Sequence, residues 1–159
     1  MRIAVFSDTH GNIEGAARAI RATEPDLVFH LGDCARDAEA LRREFPQLDL
    51  RSVRGNCDYG GTAPDRLFFE VEGVPVLLTH GHLYSVKYTL DSLKNAAGFM
   101  GARLVLFGHT HVSHWEEDGN VTFLNPGSAG TGRTPTYALV EIQNRAPLCR
   151  ICPIPAETA

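Results

Sequence analysis

Side chains that can bind metal ions follow five short apolar segments of this 159-residue chain. Each segment has the length of a β-strand, and each is followed by aspartate, asparagine or histidine beside a glycine. The seven candidate ligands are Asp8, His10, Asp33, Asn56, His80, His109 and His111. In α/β folds the carboxyl ends of the strands line the functional crevice, so we expect these side chains to converge. Seven oxygen and nitrogen donors in one place predict a two-metal centre.

Two pairs of these ligands are separated by a single residue: Asp8 with His10, and His109 with His111. In an extended chain such neighbours point to the same side, so each pair is expected to grip one ion. A single strand-end histidine is commonly an ordinary polar residue, whereas five such sites in one chain indicate a function. His30 lies inside an apolar run, and we expect it to be a hydrogen-bonded core residue or a residue that supports the ligands from behind.

The elements that would position these side chains follow from the apolar pattern. Strands are predicted at 2–7, 27–31, 48–53, 66–72, 74–79, 104–107, 112–116, 121–124 and 136–142. Helices are predicted from an Asn12 N-cap to Pro25, over 37–45, and from Val86 to Gly98 or Gly101. Because the strands are almost continuously apolar, both faces of each sheet should be covered, as in a layered α/β domain with its sheets between helices.

Composition and charge limit the function further. The chain is 43% apolar and 21% charged, and its length suits a single domain over 1–159. Its net charge of −4 provides no basic surplus for nucleic-acid binding. The first apolar run is too short for a signal peptide or a membrane span, so a cytoplasmic protein without a membrane partner is expected. Cys149 and Cys152 have C-x-x-C spacing, but they lie among prolines and are expected to be free thiols in a C-terminal tail.

Five motifs, in order, resemble those of the calcineurin-like metallophosphoesterases. They are Asp8-x-His10, Gly32-Asp33, Gly55-Asn56, Thr79-His80-Gly81-His82 and Gly108-His109-Thr110-His111. The short chain, Gly55-Asn56-Cys57-Asp58 and Asn125-Pro126-Gly127-Ser128 resemble the small, single-domain YfcE-like phosphodiesterase branch. The resemblance implies an α/β fold, a four-layer αββα sandwich of two mixed β-sheets flanked by helices.

The resemblance also implies a dinuclear centre. One ion would be held by Asp8, His10, Asp33 and His111, and the other by Asp33, Asn56, His80 and His109, with Asp33 shared. Such ligands favour transition metals over calcium or magnesium, manganese first, with iron, zinc, nickel or cobalt as alternatives. The local positive charge would attract a phosphoester to this acidic protein. A hydroxide bridging the ions would attack phosphorus in line, and the expected reaction is hydrolysis of a phosphodiester.

One position departs from the family pattern. Cys57 stands where most relatives have histidine, and a thiol with an ordinary pKa of ~8.5 is a poor general acid. We therefore expect better activity on diesters and activated esters than on alkyl monoesters. The candidate catalytic residues are Asp33, Asn56 and His82, of which His82 is the substitute proton donor or has a structural role. The candidate substrate contacts are Cys57, Asp58 and Arg133.

Two other functions are compatible with these motifs. The retromer subunit with this fold resembles the same branch and acts as a scaffold, so a non-catalytic interaction module is one alternative, against which the complete ligand set argues. A mononuclear metal-storage or sensing protein is the other. The expected partner is a small phosphoester, whose identity the sequence leaves open. Exposed edge strands of small sheets often pair, which makes a homodimer a further expectation.

Overall fold

The computed structural model describes residues 1–59 and 62–157, and ten strands within them form two five-stranded sheets. The strands are β1 (Arg2–Phe6), β2 (Leu27–His30), β3 (Asp49–Ser52), β4 (Arg66–Val71), β5 (Val74–Thr79), β6 (Leu104–Leu106), β7 (His114–Asp118), β8 (Val121–Asn125), β9 (Thr136–Gln143) and β10 (Ala146–Pro153). The helices are α1 (Glu14–Thr23), α2 (Ala35–Glu44) and α3 (Asp91–Met100), and His82–Tyr84 forms a 3₁₀ turn.

Both sheets combine parallel and antiparallel strands. The first sheet has the order β10-β9-β1-β2-β3, in which β1, β2 and β3 are parallel to one another and β9 is antiparallel to β1. The second has the order β4-β5-β6-β8-β7, in which β5, β6 and β8 are parallel and the edge strands β4 and β7 are antiparallel. Each sheet therefore presents several parallel carboxyl ends along one edge.

The layers are held together by three apolar clusters. Alternate residues of β1 show the arrangement: Ile3 and Val5 pack in a cluster between the two sheets, whereas Ala4 and Phe6 pack in a second cluster with α1 and α2. The third cluster joins α3, through the buried Leu93 and Ala97, to the other face of the second sheet. The expected four-layer αββα sandwich is confirmed. Coverage of both faces explains why central strands such as β2 and β6 are buried throughout, whereas the edge strands β4 and β10 have exposed residues at alternate positions.

The helices depart from prediction mainly at their starts. α1 begins after Ile13, so the expected N-cap Asn12 lies outside the helix. α3 begins at Asp91, and 86–90 form turns and bends although Val86 joins the same apolar cluster as the helix. Apolar spacing cannot distinguish a helical turn from a non-helical turn that packs on the same surface. The predicted start of α3 at Val86 is therefore five residues before its actual start at Asp91. None of the helices in the described ranges is long and apolar enough to cross a membrane.

The C-terminal segment is a strand, whereas the sequence predicts a tail. β10 pairs with β9 along its whole length after a two-residue turn at Asn144 and Arg145. Both turn residues have positive φ, 52° and 61°, as a type I′ hairpin requires, and the Asn-Arg pair signals this turn less clearly than Asn-Gly. An edge strand tolerates the two prolines of β10. Cys149 and Cys152 are free cysteines within this strand.

Candidate metal centre

All seven predicted ligands follow strands whose carboxyl ends meet at one edge of the sandwich. The loops after the parallel strands β1, β2 and β3 carry the ligands from the first sheet, and the loops after β5 and β6 carry those from the second. In chain order the ligands are Asp8, His10, Asp33, Asn56, His80, His109 and His111. The two sheets thus contribute to a common site, as the strand-end argument predicts.

Four of these side chains form a tight cluster. One ligand atom from each of Asp8, His10, Asp33 and His111 lies within 4.8 Å of all the others. His111 Nε2 is 3.2 Å from Asp8 Oδ1, and His10 Nε2 is 3.8 Å from Asp33 Oδ2. Asp8 Oδ1 is buried and has no hydrogen-bond partner in the part of the chain that the structure describes. A buried carboxylate oxygen in this situation needs a positive partner, so these residues fit a divalent cation.

The remaining ligands lie on the other side of Asp33. His80 Nε2 is 3.0 Å from Asn56 Oδ1 and 3.5 Å from Asp33 Oδ2. The rings of His80 and His109 are 5.0 Å apart between centroids. Asp33 Oδ2 is thus close to His10 in one group and to His80 in the other. This position suits a carboxylate shared between two cations.

The backbone at the ligands is left-handed, which corrects the extended-chain argument for the Asp8/His10 and His109/His111 pairs. Asp8, His10, His109 and His111 have φ values of 55°, 46°, 73° and 63°, and Asp33 has 60°. Few non-glycine residues adopt such angles, and they concentrate at functional sites. The i, i+2 pairs therefore do not act as neighbours on one face of a strand. The chain turns at each ligand instead.

Close packing accompanies these turns. A Cβ atom on Gly108 would collide with Ser7 Oγ and lie 2.9 Å from Asp8 Oδ2. The backbone of the loop after β6 can therefore approach Asp8 only because residue 108 has no side chain. This contact brings the loops of the two sheets together: His109 N donates to Asp8 Oδ2 over 3.1 Å.

The protonation states reflect the clustering of charge. Burial alone would raise the pKa of Asp33, but hydrogen bonds from His80 and Cys57 hold it well below its usual range. Burial alone would lower the pKa of His80, but the Asp33 and Asp8 carboxylates raise it. Burial, the His80 charge and Lys87 lower the pKa of His109 to about 4. His80 lies near the Asp33 and Asp8 carboxylates, a position that favours positive charge.

Several residues without a predicted role hold the ligands in place. The His80 Nδ1–H group donates to the carbonyl of Leu31 over 2.8 Å, which orients Nε2 towards Asn56 and Asp33. Ser128 Oγ donates to the carbonyl of Asp8, and Thr131 Oγ1 lies 3.4 Å from His111 Nδ1. The Asn125-Pro126-Gly127-Ser128 motif was a usable signal for this loop. Nothing in the sequence pairs Leu31 with His80.

His30 has the role expected of it. It is buried beneath the loop after β1, where its Nε2 lies 2.9 Å from Thr9 Oγ1 and its Nδ1 accepts from Gly32 N. Burial lowers the pKa of His30 to about 4, so the ring is neutral. A neutral ring that accepts at Nδ1 carries its proton on Nε2 and donates it to Thr9.

Asp58 does not have the free carboxylate that a substrate contact requires. Its Oδ1 accepts from the backbone N–H groups of Cys34 and Ala35, and its Oδ2 accepts from those of Asp33 and Gly55. The carboxylate is buried, and all four of its lone-pair positions are in use. Asp58 therefore ties the loop after β2 to the loop after β3 and so positions Asp33.

The other predicted contacts lie around the donor groups at different depths. Cys57 is exposed, and its backbone N–H donates to Asp33 Oδ1 over 3.0 Å. The His82 ring packs against His80 and His109, with centroids 5.4 and 6.2 Å away, and its Nδ1 is buried without a described partner. Burial and the His80 charge lower the pKa of His82, so the ring is mostly neutral at pH 7. Arg133 is exposed on the glycine-rich loop, and its contact with substrate stays a prediction.

Residues 1–145 match the model of the calcineurin-like phosphoesterase superfamily domain. The chain belongs to this superfamily. It is 33% identical over 157 residues to the probable metallophosphoesterase YsnB of Bacillus subtilis, an alignment that covers 94% of this chain and 89% of that protein. It is 25% identical to the phosphodiesterase YfcE of Escherichia coli, with 89% of this chain and 88% of that protein covered.

Solved structures of this superfamily share the fold. A predicted phosphoesterase from Streptococcus pneumoniae is 30% identical, with a TM-score of 0.75 over 96% of this chain and 97% of that one. Vps29 of Entamoeba histolytica, solved in complex with zinc, has a TM-score of 0.78 at 20% identity, with 98% of this chain and 100% of that chain covered. At this identity the likeness to Vps29 shows the fold alone. The family resemblance drawn from the five motifs is confirmed.

Proposed function

We propose that this chain is a metal-dependent phosphodiesterase that uses two divalent cations. The observation that carries the proposal is the buried, unpartnered Asp8 Oδ1 within the cluster of His10, Asp33 and His111 donors. A protein gains nothing from burying an unpaired carboxylate oxygen, whereas a cation compensates its desolvation. The phosphodiesterase name of the YfcE relative supports the same reaction class.

Each group of donors would hold one ion. Asp8, His10, Asp33 and His111 would hold the first, and Asn56, His80 and His109, together with Asp33, would hold the second. Mixed nitrogen and oxygen ligands suit manganese, iron, zinc, nickel or cobalt, and we propose manganese. When bound, the cations supply positive charge that draws in the phosphoester and stabilises the charge that develops during displacement.

The protein residues would organise this site in two ways. Asp33 would keep the two donor groups at a fixed separation, since the Cys57 amide and the Asp58 network both restrain it. His82, next to His80 and His109, would contact the leaving oxygen. Because its pKa lies below the usual value, His82 would assist as a neutral N–H donor, which favours stable leaving groups over alkoxides. Together with Cys57 in place of histidine, this predicts diesters and aryl esters as substrates.

The competing function is a non-catalytic scaffold of the same fold. Vps29 neighbours make it a real alternative, but they support the fold alone. In a scaffold the metal ligands would not have to be accessible to a phosphoester. The metal-loaded protein would then hydrolyse no ester. A mononuclear storage or sensing protein would bind one ion tightly and also show no turnover. A cytoplasmic location and a homodimer stay predictions.

The test is a metal titration followed by an ester assay. The protein, stripped with chelator and titrated with Mn²⁺, should take up two ions and then hydrolyse bis(p-nitrophenyl) phosphate faster than an alkyl phosphate monoester. Two ions without turnover would favour the scaffold, and one ion without turnover would favour the sensor. Replacing His82 with alanine should slow esters with poor leaving groups selectively. A uniform loss over all leaving groups would assign His82 a structural role.

A further inference from the structure

A cavity of about 440 Å³ adjoins the first donor group. It is lined by His10, Gly11, Cys34, Arg36, Asp37 and Cys57. His10 is also one of the four clustered donors, so the cavity begins where the metal-binding side chains end. A phosphodiester carries two ester groups on its phosphorus. With the phosphorus at the metal donors, an ester group that extends towards this side would enter the cavity.

A hydrogen bond between two of the lining residues fixes part of the cavity wall. The N–H group of Gly11 donates to Asp37 Oδ2 over 2.8 Å, and Asp37 is buried at the start of α2. This bond joins the loop after β1 to the first turn of α2. The cavity is therefore a built feature of the loops that carry Asp8 and Asp33.

Among the described residues that line this cavity, Arg36 is the only arginine or lysine. Its side chain is exposed, and it has no ion pair or hydrogen bond with any residue of 1–59 or 62–157. The neighbouring Asp37 binds Gly11 and does not pair with Arg36. A guanidinium group is always charged, and its planar fork fits phosphate and carboxylate oxygens. An unpaired fork at the rim of a cavity can accept an anion without first breaking an ion pair.

We propose that Arg36 and this cavity bind a second anionic group of the substrate, a phosphate or carboxylate carried on one ester group of the phosphodiester. This inference rests on the proposed function and adds a substrate class to it. Lys87 is a further cation near the centre, since it lowers the pKa of His109, but it lines no part of this cavity. The preference for a second anion should therefore depend on Arg36 and not on Lys87.

A matched pair of esters tests the inference. Thymidine 5′-(p-nitrophenyl phosphate) and its 3′-phosphorylated form share one leaving group and differ by one anion. The Mn²⁺-loaded protein should hydrolyse the 3′-phosphorylated ester with a kcat/KM about tenfold higher, as one charge-assisted contact allows. Arg36→Gln should bring this ratio to about one. Arg43→Gln is the control on the same helix, since Arg43 is also exposed, and it should leave the ratio unchanged, as should Lys87→Gln.

Binding provides a second readout that needs no turnover. In calorimetry on the Mn²⁺-loaded protein, thymidine 3′,5′-bisphosphate should bind about tenfold more tightly than thymidine 5′-phosphate, and Arg36→Gln should remove the difference. A preference that survives in Arg36→Gln, that disappears in Lys87→Gln, or that is absent from the natural protein overturns the inference. If the natural protein hydrolyses no phosphodiester, the proposed function is wrong, and the binding ratio alone decides the role of Arg36.

Discussion

The Asp58 carboxylate provides the sharpest contrast between a substrate contact and a structural role. Asp58→Asn keeps the size of the side chain but replaces one oxygen with an NH₂ group. In the natural protein four backbone N–H groups donate to the two oxygens, at distances of 2.7, 2.8, 2.8 and 3.0 Å. The amide can serve only the two donors on its remaining oxygen. The other two N–H groups then face a donor instead of an acceptor.

The cost follows from the two N–H donors that lose their acceptor oxygen. A buried donor without a partner costs about 1–3 kcal/mol, so Asp58→Asn should lower the free energy of unfolding by about 4 kcal/mol. This is a large fraction of the roughly 5–15 kcal/mol of a typical domain. Either pair of lost bonds loosens the loop after β2, which carries Asp33, so Mn²⁺ affinity should fall as well.

Urea unfolding in chelator measures the first effect, and calorimetric Mn²⁺ titration measures the second. Asp65→Asn is the matched control, since Asp65 forms an exposed ion pair with Arg54 and should cost under about 1 kcal/mol. The reasoning is refuted if Asp58→Asn unfolds at the same urea concentration as the Asp65 variant while its KM rises. That result would return Asp58 to the substrate-contact role that the sequence predicts.

Three further predictions concern buried groups and the metals. Burial lowers the pKa of His30 from 6.5 to about 4. The stability that the neutral ring contributes is therefore present above pH 6.5 and is lost as the pH falls towards 4. Unfolding curves should show that the free energy of unfolding falls by about 2 kcal/mol between pH 7.5 and 5, and His30→Asn should lack this loss. Gly108→Ala should lower the free energy of unfolding by about 2 kcal/mol and weaken Mn²⁺ binding. Gly98→Ala, at a position of α3 where the new methyl group meets open space, should raise the free energy of unfolding by about 0.5–1 kcal/mol. Equal effects of the two variants in denaturant titrations would contradict the packing argument. Compared with protein in Mn²⁺ at a hundredfold above Kd, chelator-treated protein should have a free energy of unfolding lower by about 3 kcal/mol per site. If His111→Gln responds to chelator as the natural protein does, His111 is not a ligand.

The apolar pattern predicted a layered α/β domain because the central strands of each sheet are covered on both faces, and the family resemblance implied the four-layer arrangement. The β1 residues Ile3 to Phe6 are all buried, which produces a continuous apolar run that ends at Asp8. The prediction was wrong for a segment whose secondary structure depends on a partner strand. β10 has prolines and no glycine turn, and it becomes a strand because β9 offers an unpaired edge.

The candidate site shows the same division. Strand-end position was enough to bring Asp8 and Asp33 together, because β1 and β2 are parallel neighbours whose carboxyl ends lie at one edge of the first sheet. The left-handed turns at these ligands could not be predicted, since neither aspartate nor histidine specifies a positive φ. The structural role of Asp58 could not be predicted either. Its four hydrogen-bond donors are backbone N–H groups on two loops, and every residue type except proline has such a group, so no residue type in the sequence indicates these bonds.

Anomalous X-ray diffraction from Mn²⁺-loaded crystals tests the central claim most directly, because it locates each ion without assumptions about its ligands. The account predicts two manganese peaks that share Asp33, one beside Asp8, His10 and His111 and the other beside Asn56, His80 and His109. A single peak, or none within reach of the Asp33 carboxylate, would contradict it.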